Sequence, residues 1–153
     1  MNTTMNIQEN VDLRRYNTFH VSAGARYFAD IMSLDQLRAV LAWVAERGIP
    51  YMLIAQGSNV LFKQDYPGVI MELNIKGIQV VDETADHADV RVECGEVWHD
   101  FVQHTLRHDW YGLENLSLIP GTVGAARVQN IGAYGVEVKD LVVELEALHI
   151  GTG

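Results

Sequence analysis

Cysteine is nearly missing: with Cys94 alone, no internal disulfide can form and no C-x-x-C redox or zinc motif exists. Cationic charge is scarce as well. Eleven Lys and Arg stand against 20 Asp and Glu, a formal net charge of −9, and the summed field of such a chain repels nucleic acid and anionic membrane alike. Neither partner is expected, and an anionic ligand has to be held by local groups. No apolar run approaches the roughly 18 residues of a membrane-spanning helix, and the opening MNTTMNIQENVDL lacks the basic start and apolar stretch of a signal peptide. The chain is therefore expected to be soluble and cytoplasmic. Internal repeats and low-complexity segments are also lacking.

What is present is a globular composition, 48% hydrophobic and 20% charged over 153 residues, enough for one or two small domains. ARYFADI reads as a strand. It precedes SLDQLRAVLAWVAERG, in which Leu34, Leu37, Val40, Leu41 and Val44 recur at helical spacing. Ser33 with Gln36 predicts a capping box and Gly48 a helix stop. IPYMLIA and GVIMEL follow as strand candidates around the turn QGSN. These elements form a first α/β lobe within residues 1–74, of which 1–13 are expected to be flexible. A second lobe covers residues 75–153. There KGIQVVDE and ADVRVECG are expected as strands, EVWHDFVQHTLRHD as a helix with Trp98, Phe101, Val102, Thr105 and Leu106 facing inward, and VEVKDLVVELEALHI as a closing strand. Alternation with Val90 and Val92 places Cys94 in a strand as a buried residue rather than a nucleophile.

Acidic residues are unevenly spread. Residues 115–136 contain no Asp or Glu, and neither do residues 47–64. Each window carries a glycine-rich segment, IPGTVGAARVQNIGAYG (119–135) in one and AQGSN (55–59) in the other. Glycine admits positive φ and close backbone approach, so successive N–H groups in such segments can form an anion cradle. Ordinary tight turns would have the same composition, and spacing alone leaves both readings open. Neither segment has the G-x-G-x-x-G or G-x-x-x-x-G-K-[ST] pattern, which disfavours a Rossmann site and a P-loop.

YNTF (16–19), GSNVLF (57–62), GLENLSLIPGTVGAARVQNIGAYG (112–135) and the GVEV that follows are collinear with, and resemble, the FAD-binding part of the UDP-N-acetylenolpyruvoylglucosamine reductase family. The resemblance spans residues 14 to 150. It implies an α+β, two-lobed FAD-binding domain of the vanillyl-alcohol oxidase and p-cresol methylhydroxylase type, with the flavin lying between the lobes. It places Gly57, Ser58 and Asn59 on the FAD diphosphate. Along the diphosphate and ribityl chain it places Ile119, Pro120, Gly121, Gly124, Ala125 and Ala126, and nearer the flavin Gln129, Asn130, Gly132, Ala133 and Tyr134, with Asn17 and Thr18 also at the site. The family takes a hydride from NADPH onto FAD and passes it to the enolpyruvyl double bond of UDP-N-acetylglucosamine enolpyruvate, giving UDP-N-acetylmuramate for peptidoglycan, and hence for cell shape and division.

The family's catalytic serine, arginine and glutamate are expected downstream of Gly153, so no catalytic residue falls within this sequence. The chain is expected to be a C-terminally truncated portion, inactive alone. A noncatalytic flavin-binding module is the alternative. A covalent flavin oxidase of the same fold is disfavoured, because neither glycine segment contains His or Cys for attachment. Three positions depart from the family. Ala55 and Gln56 stand where glycine is usual, which costs on the order of 1 kcal/mol if position 55 has positive φ. Arg127 replaces a usual proline, restoring an N–H and adding a cation that can pair with a phosphate or crowd the loop.

Outside this resemblance, His104 and His108 are spaced i, i+4 but lack H-E-x-x-H or a third ligand, so no metal is expected. Trp43, Trp98 and Trp110 read as packing residues, since no basic groove accompanies them.

Overall fold

The computed structural model describes residues 5–151. The expectations for residues 1–4 and 152–153 fall outside the described residues. Two compact units divide the described residues, 5–75 with 148–151 in one and 76–147 in the other.

In the first unit, strands β1 (Ile7–Asp12), β2 (Gly24–Ile31), β3 (Tyr51–Ile54) and β4 (Tyr66–Leu73) form one sheet in the order β1-β2-β4-β3. β1 runs antiparallel to β2, while β4 is parallel to both β2 and β3. β2 and β3 run in the same direction on either side of β4, and α1 (Leu34–Arg47) supplies the crossover between them. Because β4 is covered on both faces, Val69, Ile70 and Met71 are all fully buried, which is why GVIMEL shows no alternation. Val69 and Met71 pack with Leu37, Val40 and Val44 of α1, whereas Ile70 packs on the opposite side with Phe28, Leu13 and Ile54. A register shift between Ala25 and Tyr27 brings Ala25 to the same side as Phe28.

The ends of α1 follow its sequence. Ser33 Oγ accepts the Gln36 amide at 3.2 Å and Gly48 closes the helix at φ 59°. The reciprocal bond differs by one residue from the expected box: Gln36 Oε1 accepts from Met32 N at 2.8 Å rather than from the cap's own amide. Residues 1–13, expected to be flexible, include β1 from Ile7 onward. The pairing is specified by β2, whose other edge is already taken by β4.

The second unit contains the hairpin β5 (Ile78–Glu83) and β6 (Ala88–Val92), α2 (Trp98–Arg107), the short α3 (Val123–Gln129), and a small hairpin of β7 (Gly132–Ala133) and β8 (Val136–Glu137). Trp98, Phe101 and Val102 of α2 meet Leu116, Ala126 and Val138 in its core. Trp98 places its indole N–H on the Leu116 carbonyl at 2.8 Å, so the buried ring leaves no donor unpaired.

Two strand expectations are corrected here. Residues 136–150 do not form a long strand: only Val136–Glu137 pair, and a 3-10 turn at Val138–Asp140 follows, closed by reciprocal capping between Glu137 and Asp140. Val143 and Leu145 beyond it are 86% and 62% exposed. Valine-rich sequence needs a neighbouring ladder to be a strand, and none lies beside this segment among the described residues. Cys94 is half-buried in a turn, because β6 ends at Val92.

Candidate cofactor-binding loops

In the first unit, AQGSN is the bend after β3. Ala55 is not in the positive-φ region; Gly57 is, at 63°, so the expected strain at position 55 does not arise. Gly57 is buried and pressed against the main chain of residues 16–17: a Cβ there would lie 2.0 Å from the Tyr16 carbonyl oxygen and 2.9 Å from Asn17 Cα. Thr18 N–H donates to the Gly57 carbonyl at 3.3 Å. Ser58, half-buried, and Asn59, exposed, follow at the tip. Neither the Ser58 amide nor its hydroxyl bonds to any of the described residues. A buried glycine at positive φ followed by an open amide and hydroxyl, in an 18-residue window without a carboxylate, is a donor set that fits a diphosphate.

The resemblance placed Asn17 at the site, but the structure gives its side chain another task. It is 2% exposed, and its side chain is fully engaged with the backbone of residues 13 and 21. Thr18 remains exposed beside Gly57.

In the second unit, IPGTVGAARVQNIGAYG is not one flexible loop, since α3 occupies its middle. Ile119 and Pro120 lead into Gly121 at φ 120°, and Thr122 forms an isolated antiparallel bridge with Val97. The amides expected to face phosphate are largely used within the chain. Gly124 N–H donates to Cys94 O at 3.0 Å, and the Ala125 and Ala126 amides both donate to Thr122 O, at 3.1 and 3.0 Å. Ala126 belongs to the core. Gly124 is required by packing, since a Cβ would stand 2.6 Å from Cys94 Cβ. What Gly124 and Ala125 offer a ligand is therefore a low surface rather than N–H donors.

Beyond α3 the chain turns at Asn130, whose φ of 44° caps the helix. β7 and β8 are joined by Tyr134 and Gly135, at φ 53° and 83°, the two positive values of a type I′ turn. Asn130, Gly132, Ala133, Gly135, Val136 and Glu137 line a shallow cleft of about 440 Å³. Asn130 Nδ2 donates to Glu137 Oε2 at 3.1 Å, and Lys139 Nζ also contacts that carboxylate. The Lys139 bond, with that from Asn130, holds the Glu137 carboxyl below its usual range. Tyr134 is 89% exposed at a position that disfavours a bulky residue. No packing contact with the described residues accounts for that ring.

Arg127 lies in the last turn of α3; the Lys139 ammonium is held above its ordinary range chiefly by its bond to Glu137, with the Arg127 charge a smaller opposing influence. The rings of His104 and His108 lie 4.4 Å apart, tilted at 36°, and His108 stacks on Trp110 at 4.6 Å. Burial is the main cause holding His104 below the ordinary imidazole range, with the His108 and Arg107 charges adding to it. No cluster of three metal-ligating side chains occurs among the described residues.

Sequence analysis missed the role of the carbonyls of Cys94 and Glu96, which anchor α3 by accepting the Gly124 and Val123 amides. No side-chain pattern could have revealed them.

Residues 25–153 match the FAD binding domain family. The chain is 49% identical over 142 residues to UDP-N-acetylenolpyruvoylglucosamine reductase of Chromobacterium violaceum, covering 93% of this chain and 42% of that protein. It is 45% identical over 150 residues to the reductase of that name from Pseudomonas putida, covering 98% and 44%. It thus spans less than half the length of these curated relatives. The crystal structure of UDP-N-acetylenolpyruvylglucosamine reductase from Thermus caldophilus shares its fold with a TM-score of 0.68 at 24% identity, over 90% of this chain and 47% of that one. The fold is accordingly an α+β FAD-binding fold, FAD is the cofactor, and the chain belongs to the FAD binding domain family.

Proposed function

We propose that this chain is the FAD-holding portion of a UDP-N-acetylenolpyruvoylglucosamine reductase. The observation that carries the reading is the 45–49% identity to reductases of that name, maintained over 93–98% of the chain. In the complete enzyme NADPH and UDP-N-acetylglucosamine enolpyruvate are the partners, FAD supplies hydride transfer between them, and the product UDP-N-acetylmuramate serves peptidoglycan synthesis in the cytoplasm, and through it cell shape and division.

Within this chain, Gly57 holds the first turn open while Ser58 and Asn59 donate to the diphosphate. Ile119, Pro120, Gly121, Gly124 and Ala125 provide a low surface along the chain of the cofactor, and Ala126 sets that surface from the core. Gln129, Asn130, Gly132, Ala133 and Tyr134 attend the flavin. Amide side chains suit this task because they can pair with ring nitrogens and carbonyls without adding charge. None of these residues is assigned a step on the substrate.

Titration of the purified chain with FAD tests the reading. Saturable quenching of flavin fluorescence with a rise in melting temperature is expected, since a ligand that binds only the folded state stabilises it. A colourless chain whose melting temperature FAD leaves unmoved would refute it.

A further inference from the structure

Asn17 is a polar side chain in the core of the first unit, 2% exposed, while Thr18, Phe19 and His20 after it are exposed. Its Nδ2 donates to Leu13 O at 2.8 Å and to Val21 O at 2.9 Å, and its Oδ1 accepts from Val21 N at 3.1 Å. Both amide hydrogens and the oxygen are thus spent on the two ends of one excursion of the chain, residues 13–21. His20 N–H adds a bond to the Asn17 carbonyl at 3.1 Å. The side chain works as a staple.

That excursion supports the Gly57 turn. Thr18 N–H meets the Gly57 carbonyl, and Gly57 sits so close to the Tyr16–Asn17 peptide that there is no room for a methyl group. The placement of residues 57–59 is therefore set by main-chain atoms that Asn17 holds. We infer that Asn17 is a positioning residue for the phosphate-binding turn, acting through the backbone of residues 16–18 without touching the ligand. This rests on the reading that Gly57, Ser58 and Asn59 hold a diphosphate. Aspartate cannot replace Asn17, because it would aim a carboxylate at two carbonyl oxygens with no hydrogen to give them.

FAD and, as a probe of the diphosphate alone, ADP are titrated into wild type, Asn17→Asp and Asn17→Ser, each at a temperature where its melting curve shows it folded. Wild type is expected to bind. Asn17→Asp should weaken both ligands by about tenfold or more, equivalent to about 1.4 kcal/mol, and by a similar factor for each. Asn17→Ser, too short to reach both ends, should do likewise. A folded variant that binds FAD within about twofold of wild type overturns the inference, while a wild-type chain that binds no FAD overturns the reading beneath it. Should neither variant fold, hydrogen exchange on wild type decides. Coupling is reciprocal, so FAD should slow exchange of the Thr18 and Val21 amides. Unchanged rates at both would overturn the inference.

Discussion

Gly48 and Gly57 have nearly the same backbone conformation, φ 59° and 63°, but opposite surroundings. Nothing lies within 4 Å of a Cβ built on Gly48, whereas on Gly57 it would meet Tyr16 O at 2.0 Å, Tyr16 C at 2.9 Å and Asn17 Cα at 2.9 Å. Gly48→Ala therefore incurs only the left-handed conformation of a residue with a side chain, about 1–2 kcal/mol. Gly57→Ala incurs that and must also push one stretch of backbone off another, a further ~1–3 kcal/mol by analogy with overpacked cores. For a chain of this length about 1 kcal/mol moves the melting temperature by about 2–4 °C. Gly48→Ala should lose roughly 2–8 °C and Gly57→Ala roughly 4–20 °C, the pair differing by several degrees in one direction. Melting curves followed by circular dichroism, with and without FAD, measure both shifts. FAD should raise the melting temperature of Gly48→Ala as it does that of wild type, and should stabilise Gly57→Ala less. Equal shifts for the two variants would refute the close approach of Gly57 to residues 16–17, and with it the account of why glycine stands there.

Tyr134→Asn places Asn-Gly at the type I′ turn, where it is favoured, so the free chain should melt slightly higher, within about 1 kcal/mol of stabilisation. FAD affinity should fall because the exposed ring is lost, and an unchanged dissociation constant would remove Tyr134 from the site. The lowered pKa of His104 sets the sign of a pH effect: the unfolded chain takes up that proton first, so stability should fall as pH drops from the ordinary imidazole value near 6.5 toward the depressed folded value. His104→Gln should flatten the melting temperature against pH across that window, and an unaltered slope would show that burial and the His108 and Arg107 charges do not govern it.

Much of the first unit was legible because its signals are local. Ser33, Gln36 and Gly48 marked the limits of α1, and its apolar spacing named the face that packs on Val69 and Met71. The second unit was harder to read where partners are distant. Val142, Val143 and Leu145 have strand-like chemistry, yet no ladder reaches them among the described residues. Cys94 continued an alternation that the strand itself did not, because β6 stops pairing at Val92.

The glycine segments show the same division. Composition and charge located both acid-free windows, and the resemblance named their ligand, since glycine, small side chains and missing carboxylates are properties of the residues themselves. Only the tertiary structure decided which glycines answer to packing. Gly124 yields to Cys94, Gly57 to Tyr16, and Asn17 turns inward to staple a bend, while Tyr134 is left in solvent. The two glycine assignments depend on contacts between residues tens of positions apart, and even the Asn17 staple, only four residues long on each side, needs the chain already bent, since a linear pattern carries no record of which carbonyl will stand opposite which amide.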